Sequence, residues 1–299
     1  MDVFDLMCFY LFLLLFGSFT LYLILVIIIR YLFSKYPRNP YPDRPDWGRV
    51  EDILIPGRNS KYLDGWVVYP EHIAQELGNV SIGNPKIADY KTILFVHGWG
   101  RDKGRMVSRA RRFAQKEFIS IFFSAQDHGK SSKVRQGMNI VCYKEDIEDI
   151  IAWWKNPLIL VGHSLGGGAA LLVAQSDLVK AVIAEAPPYA FPNDFKYLYK
   201  LGLKALTRFF LPGIILIHML QRKKYQKTDY SPLAIAEMID KPVLLIHGMK
   251  DEIFPPENTV LLGKKIKNSQ VWLPEESSHY NLENHPEYAL IVKKFIVSQ

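Results

Sequence analysis

The residues best placed by type and spacing to do chemistry are Val161-Gly162-His163-Ser164-Leu165-Gly166-Gly167-Gly168. A serine hydroxyl is a weak nucleophile until a base takes its proton and the chain presents it to a substrate. Glycines two residues before and two residues after Ser164 let the backbone turn sharply there, since a Cβ at either place would clash. Leu158–Val161 ahead of the motif reads as a strand, and Ala169–Ala174 behind it as a helix. That strand–turn–helix setting raises the hydroxyl at the carboxyl edge of a sheet, beside the positive end of a helix. The chemistry it suits is acyl transfer: attack on a carbonyl, an acyl-enzyme, and hydrolysis by water.

In this context the Gly-His-Ser-Leu-Gly-Gly segment resembles the α/β-hydrolase superfamily, most of all its lipase, esterase and thioesterase branches. The resemblance spans roughly residues 50–299. It implies an α/β-hydrolase fold, a mostly parallel eight-stranded sheet with helices on both faces. It also implies roles for three further motifs. His97-Gly98-Trp99-Gly100 follows a strand, and that loop in the family supplies one backbone N–H of an oxyanion hole. Carried over, the donors are Trp99 and Leu165, with His97 structural. His247-Gly248-Met249-Lys250-Asp251 ends another strand and offers Asp251 as the acid that steadies the catalytic imidazole, with Glu252 next to it as the fallback. Ser277-Ser278-His279-Tyr280-Asn281 offers His279 as general base and later general acid. Of the eight histidines, His285 is the rival, but it immediately precedes Pro286 at a helix entry. The chain order Ser164, Asp251, His279 is the order the family requires. No metal or organic cofactor is implied.

These side chains need a framework, and the apolar pattern supplies one. Ile53–Ile55 and Tyr62–Tyr69 read as an antiparallel start. Strands follow at Thr92–Val96, Ile119–Ser124, Leu158–Gly162, Lys180–Glu185, Pro242–His247 and Gln270–Leu273. Helices are expected at Arg105–Lys116, Lys144–Trp154, Leu165–Gln175, Pro256–Lys265 and Pro286–Val297. Continuous apolar strands alternating with helices mean a parallel sheet covered on both faces. The acidic residues near the start of Lys144–Trp154 are expected to favour the helix dipole.

Ahead of this domain lies a different kind of segment. Leu6–Ile29 holds 24 residues without a formal charge, about 36 Å as a helix and enough to cross a hydrocarbon core. Asp2 and Asp5 precede it, Arg30, Lys35 and Arg38 follow, and no small-x-small cleavage pattern is present, so a retained anchor is expected over a cleaved signal. The basic flank places the domain on the cytoplasmic side, with the Asn79-Val80-Ser81 sequon as the feature that speaks against it. Residues 1–33 are thus the anchor, 34–46 a proline-rich, extended linker, and 47–299 the hydrolase domain. The two cysteines, Cys8 and Cys142, leave the domain unable to form an internal disulfide.

Between Glu185 and Pro242 the chain is longer than the bare fold needs, and residues 187–237 are expected to form a helical lid. Lys196, Lys200, Lys204 and Arg208 recur at spacing four, with Phe195, Leu198, Leu201, Ala205, Leu206 and Phe209 on the other side. Such a helix fits an anionic membrane interface, or equally a lid that covers its own site. Either implies an apolar acyl pocket. The net charge of +7 goes with a membrane surface, since no nucleic-acid-binding motif is present. The expected function is therefore hydrolysis of carboxylic esters or thioesters of acyl or lipid-like substrates by a membrane-anchored enzyme. An amide or peptide hydrolase and an acyltransferase use the same residues, and a non-catalytic scaffold is the remaining alternative.

Overall fold

The computed structural model describes residues 2–34, 41–78, 85–133, 139–190, 209–210, 212–213 and 226–299. The strands are β1 (Arg49–Gly57), β2 (Lys61–Tyr69), β3 (Thr92–Val96), β4 (Ile119–Phe123), β5 (Leu158–His163), β6 (Val179–Glu185), β7 (Val243–Ile246) and β8 (Ser269–Trp272). They form one sheet in the order β1-β2-β4-β3-β5-β6-β7-β8. Only the β1–β2 and β2–β4 pairings are antiparallel; the other five are parallel. The central strands β3, β4 and β5 are buried at every residue, which is why they read as continuous apolar runs rather than alternating ones.

The helices are α1 (Val3–Ser34), α2 (Glu71–Leu77), α3 (Val107–Phe113), α4 (Ile140–Trp154), α5 (Leu165–Leu172), α6 (Pro232–Ile235), α7 (Pro256–Lys265) and α8 (Tyr288–Val297). On one face of the sheet, α4, α5 and α7 bury Ile147, Ile150, Trp154, Leu171 and Leu262. On the other, α3 and α8 bury Val107, Phe113, Tyr288, Val292 and Phe295. Parallel register aligns the carboxyl ends of the strands: Val96 pairs with Gly162, His163 with Glu185, and Ile246 with Trp272. Every candidate site residue leaves the sheet from this edge.

Three expectations from sequence change in detail. Helix α4 begins at Ile140, because the Asn139 side chain accepts the N–H groups of Val141 and Cys142. Its acidic residues therefore lie in mid-helix, where Glu148 and Asp149 hold Arg58 of the β1–β2 turn, and they do not serve the helix dipole. Helix α5 stops at Leu172, as the Ala174 and Ser176 N–H groups switch to shorter i−3 bonds. Helix α2 was not legible; its seven residues follow Pro70.

The described part of the linker, from residue 41, lies on the domain. Asp102 accepts the Tyr41 N–H, and Arg111 reaches Asp43 and Asp46. The basic stripe Lys196, Lys200, Lys204 and Arg208, its apolar partners up to Leu206, and the Asn79 sequon fall outside the described residues. Among the described residues, one helix, Val3–Ile28 of α1, is long and apolar enough to cross a membrane.

Candidate active site

Ser164 sits between β5 and α5 with φ 54° and ψ −123°, a conformation strained for any residue with a Cβ. The glycines explain how the chain tolerates it. A Cβ on Gly162 would lie 2.5 Å from the Gly166 carbonyl oxygen, and one on Gly166 would lie 2.5 Å from the carbonyl oxygens of Val96 and His97. The Ser164 N–H is fixed by the Glu185 carbonyl at 2.8 Å, and its own carbonyl accepts from Gly168. Leu165 is then the first residue of α5, where N–H groups have no partner within the helix. Its N–H is thus of the kind an oxyanion hole uses.

The loop carrying Trp99 is held by two buried histidines. His97 Nε2 accepts the Ala125 N–H at 2.9 Å, so the proton is on Nδ1 and goes to the Gly98 carbonyl at 2.8 Å. His128 Nε2 accepts the Gly100 N–H at 3.0 Å, so its Nδ1 proton goes to the Gln126 carbonyl at 2.9 Å. Tyr143 adds a hydroxyl hydrogen bond to the Gly98 carbonyl at 3.3 Å. Burial, with the neighbouring His128 adding to it, pushes the His97 pKa down to about 3, so the ring stays neutral. Behind them Asp146 of α4 accepts the Gln126 N–H and its side-chain amide, at 2.8 and 2.5 Å. Burial raises the Asp146 pKa to about 7 against the pull of those bonds. The expected role of His97 in structure matches this arrangement, and His128 and Tyr143 are additions that sequence reasoning missed.

Asp251 and His279 meet across 28 positions of sequence: His279 Nδ1 lies 2.7 Å from Asp251 Oδ2. The other oxygen of Asp251 accepts the N–H groups of Ile253 and Phe254, at 2.7 and 2.9 Å. With Nδ1–H given to the carboxylate, Nε2 is the basic nitrogen of His279. His247 Nε2 also reaches Asp251 Oδ2, at 2.9 Å, while its Nδ1 meets the Thr259 hydroxyl at 2.6 Å. Burial alone would raise the Asp251 pKa, but the hydrogen bonds from His247 and His279 outweigh it and hold the carboxyl well below the usual range. Glu252 is exposed. His285 packs against Trp272 and takes the Glu287 N–H, at a helix entry.

The segment bearing His279 is tied back to the nucleophile's own strand. His163, the residue before Ser164, has Nε2 2.7 Å from the His279 carbonyl oxygen, with the two rings 5.0 Å apart. Burial, with the positive charge of Arg109 adding to it, keeps the His163 pKa well below its ordinary value. Arg105 donates to the Tyr280 carbonyl at 2.6 Å and to Glu283 at 2.9 Å. Fully buried Arg109 joins Glu283 to Glu185, whose other oxygen accepts the Tyr288 hydroxyl at 2.5 Å. The residue whose carbonyl fixes Ser164 is thus bonded through its side chain to the group that steadies the histidine loop. None of these partners carries a local sequence signal, since most lie over a hundred positions apart.

Comparison with known proteins gives a consistent picture. Residues 88–234 match the Hydrolase_4 family, described as serine aminopeptidase, S33. An uncharacterized Bacillus subtilis protein, YqkD, is 25% identical over 218 residues, covering 69% of this chain and 70% of its own. An esterase of Pyrococcus furiosus superposes with a TM-score of 0.64 at 16% identity, over 88% of this chain and 98% of its own. A membrane phospholipase A, described as a bacterial virulence factor, has a TM-score of 0.59 at 16% identity and covers 98% of both chains.

Proposed function

We propose that this chain, which has the α/β-hydrolase fold, is a serine hydrolase cleaving carboxylic esters of acyl substrates, with Ser164, His279 and Asp251 as its triad. The observation that carries the reading is the 2.7 Å bond between His279 Nδ1 and Asp251 in a loop bonded to the residue beside Ser164. In the reaction, His279 Nε2 takes the Ser164 proton as Oγ attacks the ester carbonyl. The developing oxyanion is met by the backbone N–H groups of Trp99 and Leu165. Collapse expels the alcohol, which leaves with the proton from His279, and forms the acyl-enzyme. Water then adds with His279 again as base, releasing the acid and restoring Ser164. Asp251 stays ionised throughout, held by His247 and the backbone as well as by His279.

The ester preference draws on two of the similar structures, an esterase and a phospholipase. Thioesters meet the same machinery. Amide or peptide cleavage is the second reading, favoured by the description of the matched family as serine aminopeptidase. The apolar span of α1 supports placement at a membrane, and Arg30 and Lys35 behind that span support a cytoplasmic domain.

The test is labelling of membrane fractions with a fluorophosphonate probe, comparing the native protein with Ser164→Ala. Labelling lost in the variant supports an activated serine. Hydrolysis of p-nitrophenyl esters of graded chain length, set against aminoacyl p-nitroanilides, then separates the two readings. A folded native protein that neither labels nor turns over any of them overturns the proposal.

A further inference from the structure

Helix α1 does not stand clear of the domain. Residues 3–28 are exposed almost throughout, yet Val26 is fully buried and Tyr22 and Leu23 are partly covered. Tyr22 and Val26 lie one turn apart and so share a face. What covers them comes from the middle of the insertion. The Tyr22 hydroxyl donates to the Phe209 carbonyl at 3.1 Å and accepts the Gly213 N–H at 3.1 Å. Its ring stacks on Phe210 at 5.9 Å and 10°, and meets Phe209 edge-on at 5.3 Å. Gly213 packs directly on the helix: a Cβ there would lie 2.6 Å from Val26 Cγ2 and 2.9 Å from the Tyr22 hydroxyl.

The position of these contacts along α1 sets their depth. The apolar span Val3–Ile28 has 26 residues. As a helix it is about 39 Å long against a hydrocarbon core of about 30 Å. Centred on that core it overhangs by roughly 4–5 Å at each end, which brings Val26 near the boundary and Tyr22 roughly 4–5 Å inside it. This is the level where acyl chains give way to headgroups, and where tyrosine is enriched. Phe209 belongs to this contact but remains 63% exposed, an aromatic ring left largely uncovered by protein at acyl-chain depth. The sequence on either side is charged to match: residues 195–228 hold eight basic residues and no acidic one. Anionic headgroups lie just outside the boundary.

We propose that Phe209, Phe210 and Gly213, the turn that meets α1, are seated in the bilayer at this boundary, held there by Tyr22 and Val26, and that the hydrolase draws its substrates from the membrane as acyl esters of resident lipids. The ester carbonyls of such lipids sit at the same depth, so the insertion and the bond to be cleaved share one layer. The substrate half of the proposal rests on reading Ser164 as the nucleophile; the position of the turn does not.

The full chain, reconstituted in phosphatidylcholine vesicles containing phosphatidylglycerol, tests both halves. For position, Phe209→Cys in a Cys8→Ser, Cys142→Ser background carries a fluorophore. Quenching by shallow spin-labelled lipid, with protection from aqueous iodide, is the expected result; quenching by iodide alone overturns the proposal. For function, Tyr22→Phe keeps the ring but removes both hydrogen bonds, and Gly213→Leu forces the turn off the helix. Each is expected to cut turnover of a fluorogenic diacyl lipid in the vesicles about three- to ten-fold. Turnover of a soluble short-chain p-nitrophenyl ester should stay at the native rate. Equal turnover of the vesicle lipid by native and both variant proteins overturns the coupling. A native protein that cleaves neither ester sinks the hydrolase reading instead, while the fluorophore still reports where the turn sits.

Discussion

At the scale of single residues, the site depends on atoms that have no freedom to be elsewhere. Asp251 spends one oxygen on two backbone N–H groups and the other on two imidazoles. In the proposed triad, replacing it with Asn puts an amide where His279 needs an anion, and kcat on a p-nitrophenyl ester should fall on the order of 10⁴-fold with KM little changed. His247 meets the proposed triad through Asp251, as a positioning residue. His247→Phe should lower kcat about ten-fold, leave KM unchanged and retain probe labelling of Ser164 at a slower rate. An unchanged kcat would remove His247 from the mechanism. The serine and its glycines were legible because the strained turn imposes a local spacing. His163, His128 and Arg109 were not, because their partners come from other parts of the chain and a histidine ending a strand looks the same whether or not it holds a carbonyl.

At the scale of elements, the sheet edge and the helices behind it act as one clamp. Helix α3 supplies Arg109, strand β6 supplies Glu185, and the segment before α8 supplies Glu283, so three elements meet on one buried cation. Arg109→Met leaves the Glu185 carboxylate buried without a counter-charge and Glu283 with Arg105 alone, and the protein should lose about 3–5 kcal/mol in a denaturant titration followed by tryptophan fluorescence. A loss below 1 kcal/mol would mean that water or rearrangement replaces the guanidinium. Strands Thr92–Val96 and helix Pro256–Lys265 were readable to the residue, the first from a fully buried apolar run, the second from proline at its first turn. Helix α4 was placed four residues late because its start is set by the Asn139 cap, a weaker signal than the acidic cluster that follows.

At the scale of the whole molecule, buried titratable groups set how stability follows pH. The neutral His97 and His163 have folded pKa values below the ordinary 6.5, so their contribution is present above that pH and is lost as pH falls. Asp146 runs the other way. Its folded pKa of about 7 lies above the ordinary 3.8, so it contributes most in acid, and that contribution is lost as pH rises through 7. The native protein should therefore lose stability relative to Asp146→Asn between about pH 5 and 7, by up to about 1.4 kcal/mol per pH unit. Thermal melts of the pair across that range give the difference directly, and a flat difference would place the ionisation of Asp146 elsewhere. The expected eight-stranded sheet is the one observed, while the contact of α1 with Phe209 and Gly213 had no sequence signal at all. The base of the insertion has one more consequence. Leu233 N–H bonds the Tyr189 carbonyl at 3.0 Å, so the two ends of the 43-residue stretch between them are held together. A loop closed in this way costs the fold little for its length: trimming it to about five residues would return only about 2 kcal/mol of closure entropy. The sheet and its clamp can therefore keep one design while the loop is exchanged for another, and a lineage of such chains can change what it binds without relearning how to fold.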